Sequence, residues 1–581
     1  MKGIRKISAF ITALAIGAST AFGVFTPQYV HAEAPVYQRY ELAELETLIA
    51  GFEAAFGKSN NEQEVRQCYQ LLVDEIDYIY SQSVLAMVSY SENMTEDNLD
   101  EYRYMESVNV LGINKVFVSL QKSLRTEYGG VIAELLGEIL SDSLKNEDIA
   151  IDEKTEEFLA KKNELEQKYI EIAYSSLTEE DKNMGCAAVY LDLVKLYNSI
   201  MVSDEYTYLD YAYISYNRDY TADMMMSVGD TVRQSLIDSY YKLTEGQTYN
   251  KVLFENNFDV VSQYTYRMSE ELGESADIIL ENNLYRTGSG GKSENKAYTT
   301  ALPYYNTAII YQYIYNNDVD FSSAVHEFGH FNAMRLNIIP SLNMQTPNLD
   351  VAEVHSQGLE VLYTKFYDDI YGAYADSYRA KTAANLLSAV AAGFVGNEFE
   401  NYVYNNADTM TAADVVSLYE KTAEKYELYD VPLYRIPHFF QAPGYYVSYA
   451  VSALAALDLW DTVYRDFDKA VDIYTDFSHI SNNSTTGFSE ALETTGFDNI
   501  FESGLMEKKI KRLSSVISNG IVYGDIDENN TVNASDVLTL IRLVLDTSKD
   551  IEKAKRDIYD LNADEKINTA DIIEMKRLLL R

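Results

Sequence analysis

The stretch His326-Glu327-Phe328-Gly329-His330 constrains this chain more than any other, because its chemistry works in only one local conformation. On a helix, side chains four positions apart project from one face. Two imidazoles so placed can share one ion, with zinc the usual occupant, and the glutamate between them can act as a base toward water. The pattern therefore predicts a helix, and it demands a second element that returns with a third ligand. Asp320 is placed to cap that helix, and Val325, Phe328 and Met334 give it apolar faces. Gly329 costs about 1 kcal/mol in a helix interior, a cost that close packing against a neighbouring element would explain.

The third ligand does not come from the extended histidine motif. That motif would need glycine at 333 and histidine at 336, where the chain has Ala333 and Leu336. A downstream acidic helix is the other standard solution, and the segment from Asn348 to Tyr367 supplies one. Glu353, Gln357 and Glu360 share a face at three- and four-residue spacing. His355 lies about 200° around the helix from Glu353, beside Leu359 and Leu362. One regular helix cannot direct both at the same ion, so Glu353 is the expected ligand and His355 either a packed histidine or one that supports a ligand from behind.

From Tyr37 to about Met268 the chain is a series of amphipathic helical patterns, as in Glu41–Phe56 and Glu156–Ala173. The polar stretch from Arg286 to Thr300 reads as a loop. Its Gly-Gly-Lys-Ser is not a phosphate loop, because Arg286 stands where that motif needs glycine. Asn306–Tyr315, rich in β-branched and aromatic residues, predicts a strand. Helical patterns then run to about Ser518, where Asn519-Gly520 gives a stop signal.

Beyond Gly520 the chain repeats itself. Asp525–Asp536 and Asp560–Asp571 align at an offset of 35 residues. Oxygen donors recur at loop positions one, three, five, nine and twelve, with a backbone carbonyl at seven, and each loop is followed by an apolar helix. That is EF-hand calcium geometry. It assigns Asp525, Asp527, Asn529, Thr531, Asn533 and Asp536 to one calcium ion. A second ion falls to Asp560, Asn562, Asp564, Lys566, Asn568 and Asp571. Position six, ordinarily glycine, is Asn530 in the first loop and Glu565 in the second, and glutamate tolerates positive φ poorly.

The first 32 residues read as a secretory leader: Lys2, Arg5 and Lys6, an apolar run from Ala9 to Val24, then Val30-His31-Ala32. No later segment reaches membrane-spanning length, and Ala384–Val395 suits a buried helix. With 90 acidic against 47 basic residues, the surface repels nucleic acid and anionic membranes. Cys68 and Cys186 could form one disulfide in an oxidising setting, although nothing in the sequence fixes their distance. The 50 tyrosines have no explanation in the pattern.

The histidine motif followed by Glu353-Val354-His355-Ser356-Gln357-Gly358-Leu359-Glu360 resembles the thimet oligopeptidase and oligoendopeptidase F family. Arg435–Trp460 resembles that family's histidine-then-tyrosine region, with His438 before Pro443-Gly444 and Tyr445, Tyr446 and Tyr449 after it. The likeness covers roughly Met268 to Arg465, and His355 replaces a proline or small residue. It implies a mainly α, two-lobed helical zinc peptidase with a small β element beside a deep channel. One zinc would be held by His326, His330 and Glu353, with Glu327 as base and His438, Tyr445 and Tyr449 facing the scissile bond. The strand at Asn306–Tyr315 looks like the family's substrate-pairing edge strand. The two calcium loops, each ending in Asp, look like a dockerin, which implies a cohesin domain of a scaffoldin as partner. In the resembled family Ala534-Ser535 and Thr569-Ala570 would meet that cohesin, as would the basic pair Lys576-Arg577.

The expected layout is a leader over 1–32, an N-terminal helical region over 33–268, a zinc catalytic region over 269–518 and a dockerin over 520–581. The function these features imply is a secreted, zinc-dependent endopeptidase acting on oligopeptides or unfolded peptides and docked on an extracellular assembly. A zinc carboxypeptidase of related helical fold and a non-catalytic assembly subunit are the alternatives.

Overall fold

The computed structural model describes residues 34–581 apart from 138–139, 142–143, 146–152, 202–205, 248–250, 345–347, 429–430, 482–485, 520–523, 528–531, 546–558, 562–565 and 580–581. The leader and the ligand candidates Asn529, Thr531, Asn562 and Asp564 lie outside the described residues.

The chain opens with helices α1 (Leu42–Phe56), α2 (Glu62–Glu92) and α3 (Glu96–Leu124). Leu45, Phe52, Leu72, Ile76, Val116 and Leu120 close a small core among them. Thr95 starts α3 as a conventional cap, its hydroxyl accepting from the Asn98 N–H. Further helices run from Gly129 to Asn282, and Asn283 ends the last of them in the left-handed conformation that asparagine tolerates.

A three-stranded sheet follows, with β1 (Tyr285–Gly288), β2 (Ala297–Leu302) and β3 (Thr307–Tyr313) in the order β1-β3-β2. β1 runs parallel to β3, Tyr285 opposite Ile310, and β2 runs antiparallel to it, Thr299 opposite Ile310. The polar stretch from Arg286 to Thr300 is not a loop throughout, since β1 ends and β2 begins within it. The strand expected over Asn306–Tyr315 is the middle of the sheet, bonded on both sides, so β2 forms the edge beside the histidine helix.

After the sheet come α4 (Val319–Leu336), α5 (Leu349–Tyr363), α6 (Ala375–Asn406), α7 (Ser448–Arg465) and α8 (Leu505–Asn519). These helices share one large apolar core with residues as early as Val84, and Trp460 is fully buried in it. The apolar run Ala384–Val395 lies within α6, and no helix among the described residues is long and apolar enough to cross a membrane. α5 packs along α7 and against α4, which sets the two candidate ligand helices side by side. Cys68 and Cys186 are both unpaired; Cys186 sits in the large core, and Cys68 packs against the small one. The tail contains α9 (Ala534–Leu545) and α10 (Thr569–Leu579), which bury Ile526, Leu540, Tyr559, Leu561 and Met575 between them.

Candidate metal centre

α4 begins at Val319, so Asp320 lies inside its first turn instead of capping it. Its carboxylate accepts the Tyr315 and Asn317 N–H groups, tying the end of the β3 segment to the helix start. Two turns on, the helix presents His326 and His330 from one face, ring centroids 4.9 Å apart. Gly329 lies on the side pressed against α5, where a Cβ would meet the His355 carbonyl oxygen at 2.4 Å and Ser356 Cα at 2.7 Å. Only glycine allows the two backbones to come this near.

That approach brings Glu353 to the histidines. One ligand atom from each of His326, His330 and Glu353 lies within 4.8 Å of the other two. The donor set matches two-histidine, one-glutamate zinc chemistry. His326 is also held from behind, its Nδ1 pairing with Glu360 Oε1 at 2.7 Å. Such partners fix ring orientation and tautomer in metal centres. Ser356 Oγ donates to the Glu353 carbonyl and lies 3.4 Å from its Oε2.

Burial alone would pull the His326 pKa down, but the bond to Glu360 and the charges of Glu360, Glu353 and Glu327 outweigh it and raise it to about 10. Three carboxylates thus draw positive charge to one point, as a divalent cation there would satisfy. His330 is pushed well below its ordinary value by burial and by the neighbouring His326 and His355, so it stays the neutral donor a metal needs. The residues fit a zinc ion.

Glu327 is buried, and burial raises its carboxyl pKa, opposed by His326 and by the Thr299 hydroxyl. Thr299 of β2 donates to Glu327 Oε2 at 2.7 Å and to the Glu327 carbonyl at 3.0 Å. His355 points away, fully buried; its Nε2 lies 3.3 Å from the Phe477 carbonyl oxygen and its ring packs edge-on to Phe477.

His438 and the tyrosines form one aromatic cluster. The His438 ring centroid lies 4.7 Å from Tyr445, 5.6 Å from Tyr446 and 5.9 Å from Tyr449. Tyr445 and Tyr449 do not share a helix, because α7 starts only at Ser448; a turn carries Tyr445, and the rings still meet at 5.5 Å. Burial raises both phenol pKa values, and the Glu353 charge raises them further, so both hydroxyls stay protonated beside the ligand set. Burial lowers His438, whose Nδ1 is buried without a hydrogen-bond partner.

Glu360 and Thr299 are functional residues without a role in the sequence reading. Glu360 was within reach of pattern reasoning, since it lies on the Glu353 face two turns on. Thr299 carried no signal, because its stretch reads as a loop.

In the tail, Asp525, Asp527 and Asp536 bring carboxylate oxygens within 4.8 Å of one another, and Asp527 Oδ1 is buried without a partner. Asp536 Oδ1 accepts the Ile526 and Asp527 N–H groups, and Oδ2 accepts that of Asn533. The second loop copies this with Asp571 accepting from Leu561 and Asn568. Asn533 and Asn568 spend their Oδ1 atoms on the Ser535 and Ala570 N–H groups, capping α9 and α10. Asp560 is buried, and Lys566 is exposed beside Ile567.

Residues 523–580 match the family description Dockerin type I domain. A solved structure described as an oligoendopeptidase F superposes on this chain with a TM-score of 0.63 and 17% identity, covering 84% of this chain and 99% of that one. PZ peptidase A, solved with an inhibitor, gives 0.63 and 15%, over 84% of this chain and 99% of that one. The chain has the oligoendopeptidase F fold. Metallocarboxypeptidase 1 of Trypanosoma cruzi is also similar, at 0.53 and 12%, covering 81% of this chain and all of its own. No curated protein sequence matches.

Proposed function

We propose that this chain is a secreted zinc endopeptidase acting on oligopeptides or unfolded peptides, attached through its dockerin to a cohesin of a cellulosome-type assembly. The observation that carries the reading is the convergence of His326, His330 and Glu353 beside the buried base Glu327. A zinc ion held by those three side chains supplies Lewis-acid polarisation of a peptide carbonyl and acidifies water. Glu327, with Thr299 holding one oxygen, takes a proton from water and delivers it to the leaving amine. Tyr445 and Tyr449, kept protonated, donate hydrogen bonds to the oxygen that gains charge, with His438 beside them. The edge strand β2 offers backbone groups along which an extended peptide can pair. Leader cleavage after residue 32, a boundary near Met268 between helical and catalytic regions, and two calcium ions in the tail belong to the same reading.

Glu327→Gln preserves shape but removes the base. It should keep bound zinc while peptide cleavage falls by about 10²–10⁴-fold; turnover near the native rate would refute the assignment. The likeness to a metallocarboxypeptidase supports a second reading, in which products arise from the C-terminus. Mass analysis of products from a mixed peptide library separates internal from terminal cleavage. Docking is tested by binding to a panel of cohesins with calcium and with a chelator, and binding that survives chelation would refute it.

A further inference from the structure

Gly444 sits between His438 and Tyr445 at a φ of +72°, and both poles of its peptide environment are gripped by buried polar side chains. Arg218 Nη1 donates to the Gly444 carbonyl at 2.6 Å, and the Gly444 N–H donates to Glu400 Oε1 at 3.0 Å. Both side chains are buried. The same guanidinium forks onto Asp350, with Nε to Oδ2 at 3.0 Å and Nη2 to Oδ1 at 3.1 Å, and Nη2 also reaches Ser448 Oγ at 2.8 Å. Ser448 Oγ and Tyr220 Oη both donate to Asp350 at 2.6 Å.

The positions of these contacts matter. Asp350 lies three residues before Glu353 on α5, Gly444 is adjacent to Tyr445, and Ser448 is adjacent to Tyr449. One side chain therefore joins the helix carrying a candidate ligand to the residues that precede both tyrosines. We infer that Arg218 and Glu400 are positioning residues that fix the place of Tyr445 and Tyr449 relative to α5 by clamping Gly444 from its two sides. The inference rests on the peptidase reading for its catalytic consequence, although the clamp itself does not.

The chemistry of the two residues suits that task. Arginine's planar fork meets three acceptors in fixed directions, which an ammonium cannot. Burial pushes the Glu400 carboxyl up to about 8, against the Gly444 bond and Arg218. The other groups facing it are Tyr190, Tyr213, Tyr216 and Tyr404, none carrying charge at neutral pH. Near pH 7 Glu400 is thus largely neutral, and glutamine is a close mimic that retains a carbonyl acceptor for Gly444.

The test compares Glu400→Leu, which deletes the acceptor, with Glu400→Gln, which keeps it, alongside Arg218→Lys, all in the full chain. Expected for Glu400→Leu and Arg218→Lys is a fall in kcat of about 10–100-fold, as for a roughly 1 Å misplacement, with KM and zinc content near native. Glu400→Gln should restore kcat to within about threefold of wild type, since the hydrogen bond it keeps is the one that positions. The second readout is the His438 ring resonance in histidine-labelled protein, assigned through His438→Asn. It reports the surrounding tyrosine rings and should shift in Glu400→Leu and Arg218→Lys while the His355 resonance holds still. Equal kcat in the leucine and glutamine variants, or an unmoved His438 resonance in Glu400→Leu, overturns the inference. A zinc-loaded wild type that cleaves no peptide would instead sink the peptidase reading and leave the resonance comparison to decide the clamp.

Discussion

Replacing Gly329 by alanine should damage metal binding more than it damages the fold. A Cβ there would lie 2.4 Å from the His355 carbonyl oxygen, where ordinary contact begins at 3.4 Å. The obstacles are the backbone atoms of α5 and not a flexible side chain, so the helices must part by about 1 Å to relieve the overlap, an overpacking cost of roughly 1–3 kcal/mol. Alanine regains about 1 kcal/mol of helix propensity, which leaves a net destabilisation of about 0–2 kcal/mol. The ligand set is less forgiving, because metal–ligand distances tolerate only about ±0.2 Å. Separating His326 and His330 from Glu353 by several times that margin should weaken zinc binding by at least about 10-fold, comparable to disturbing a ligand's supporting partner. The assay is zinc affinity by competition with a chromogenic chelator, beside a melting curve of the same sample. Native zinc affinity in a folded Gly329→Ala protein would refute the claim that this contact sets the ligand geometry.

Glu353→Gln should lose zinc in equilibrium dialysis far more than His355→Ala, and the opposite ranking would move the third ligand to the histidine. Glu360→Gln should cost about 10–100-fold in zinc affinity by weakening the bond that orients His326; an unchanged affinity would make that pair incidental. Asp77 of α2 accepts the Ser341 N–H and hydroxyl, yet burial outweighs those bonds and lifts its pKa to about 6. Because the folded value lies above the unfolded value of about 3.9, folding favours the protonated acid, and stability declines as pH rises through roughly 4 to 6, by up to about 3 kcal/mol. Asp77→Asn should therefore gain stability relative to wild type at pH 7.5 but not at pH 4.5, measured by guanidinium unfolding in chelator; equal differences at both pH values would refute the sign.

The sequence made the chemistry legible wherever a single element carried it. Helical spacing set His326 with His330 and separated Glu353 from His355, because side-chain direction on a helix follows from position alone. The glycine inside the motif even announced the close approach to α5. What stayed hidden depends on partners far along the chain. Tyr285–Gly288 is a strand because β3 is there to bond it, and a Cβ at Gly288 would meet the Tyr311 hydroxyl at 2.3 Å and Ser293 Cβ at 2.6 Å. Strand propensity reflects such context more than composition, and a run of Gly, Ser and Lys gave no hint. Tyr445 and Tyr449 show the intermediate case: Pro443-Gly444 announced the break before them, but not that α7 starts only at Ser448.

The joints between elements are a different matter, and several of them are polar. Arg218 reaches Asp350 over 132 positions and Gly444 over 226. Lys509 and Arg512 of α8 pair with Asp458 and Asp461 of α7, all four buried. A buried ion pair is weak evidence of stability, since apolar residues of similar volume often do as well or better. Its distinctive property is direction: a fork that satisfies several acceptors fits one register, whereas an apolar seam accepts neighbouring ones at little cost. Around a ligand set with a tolerance of tenths of an ångström, register is the scarcer quantity. That gives a physical reason for Asp350 to stand one turn before Glu353 and to be held by arginine, serine and tyrosine at once.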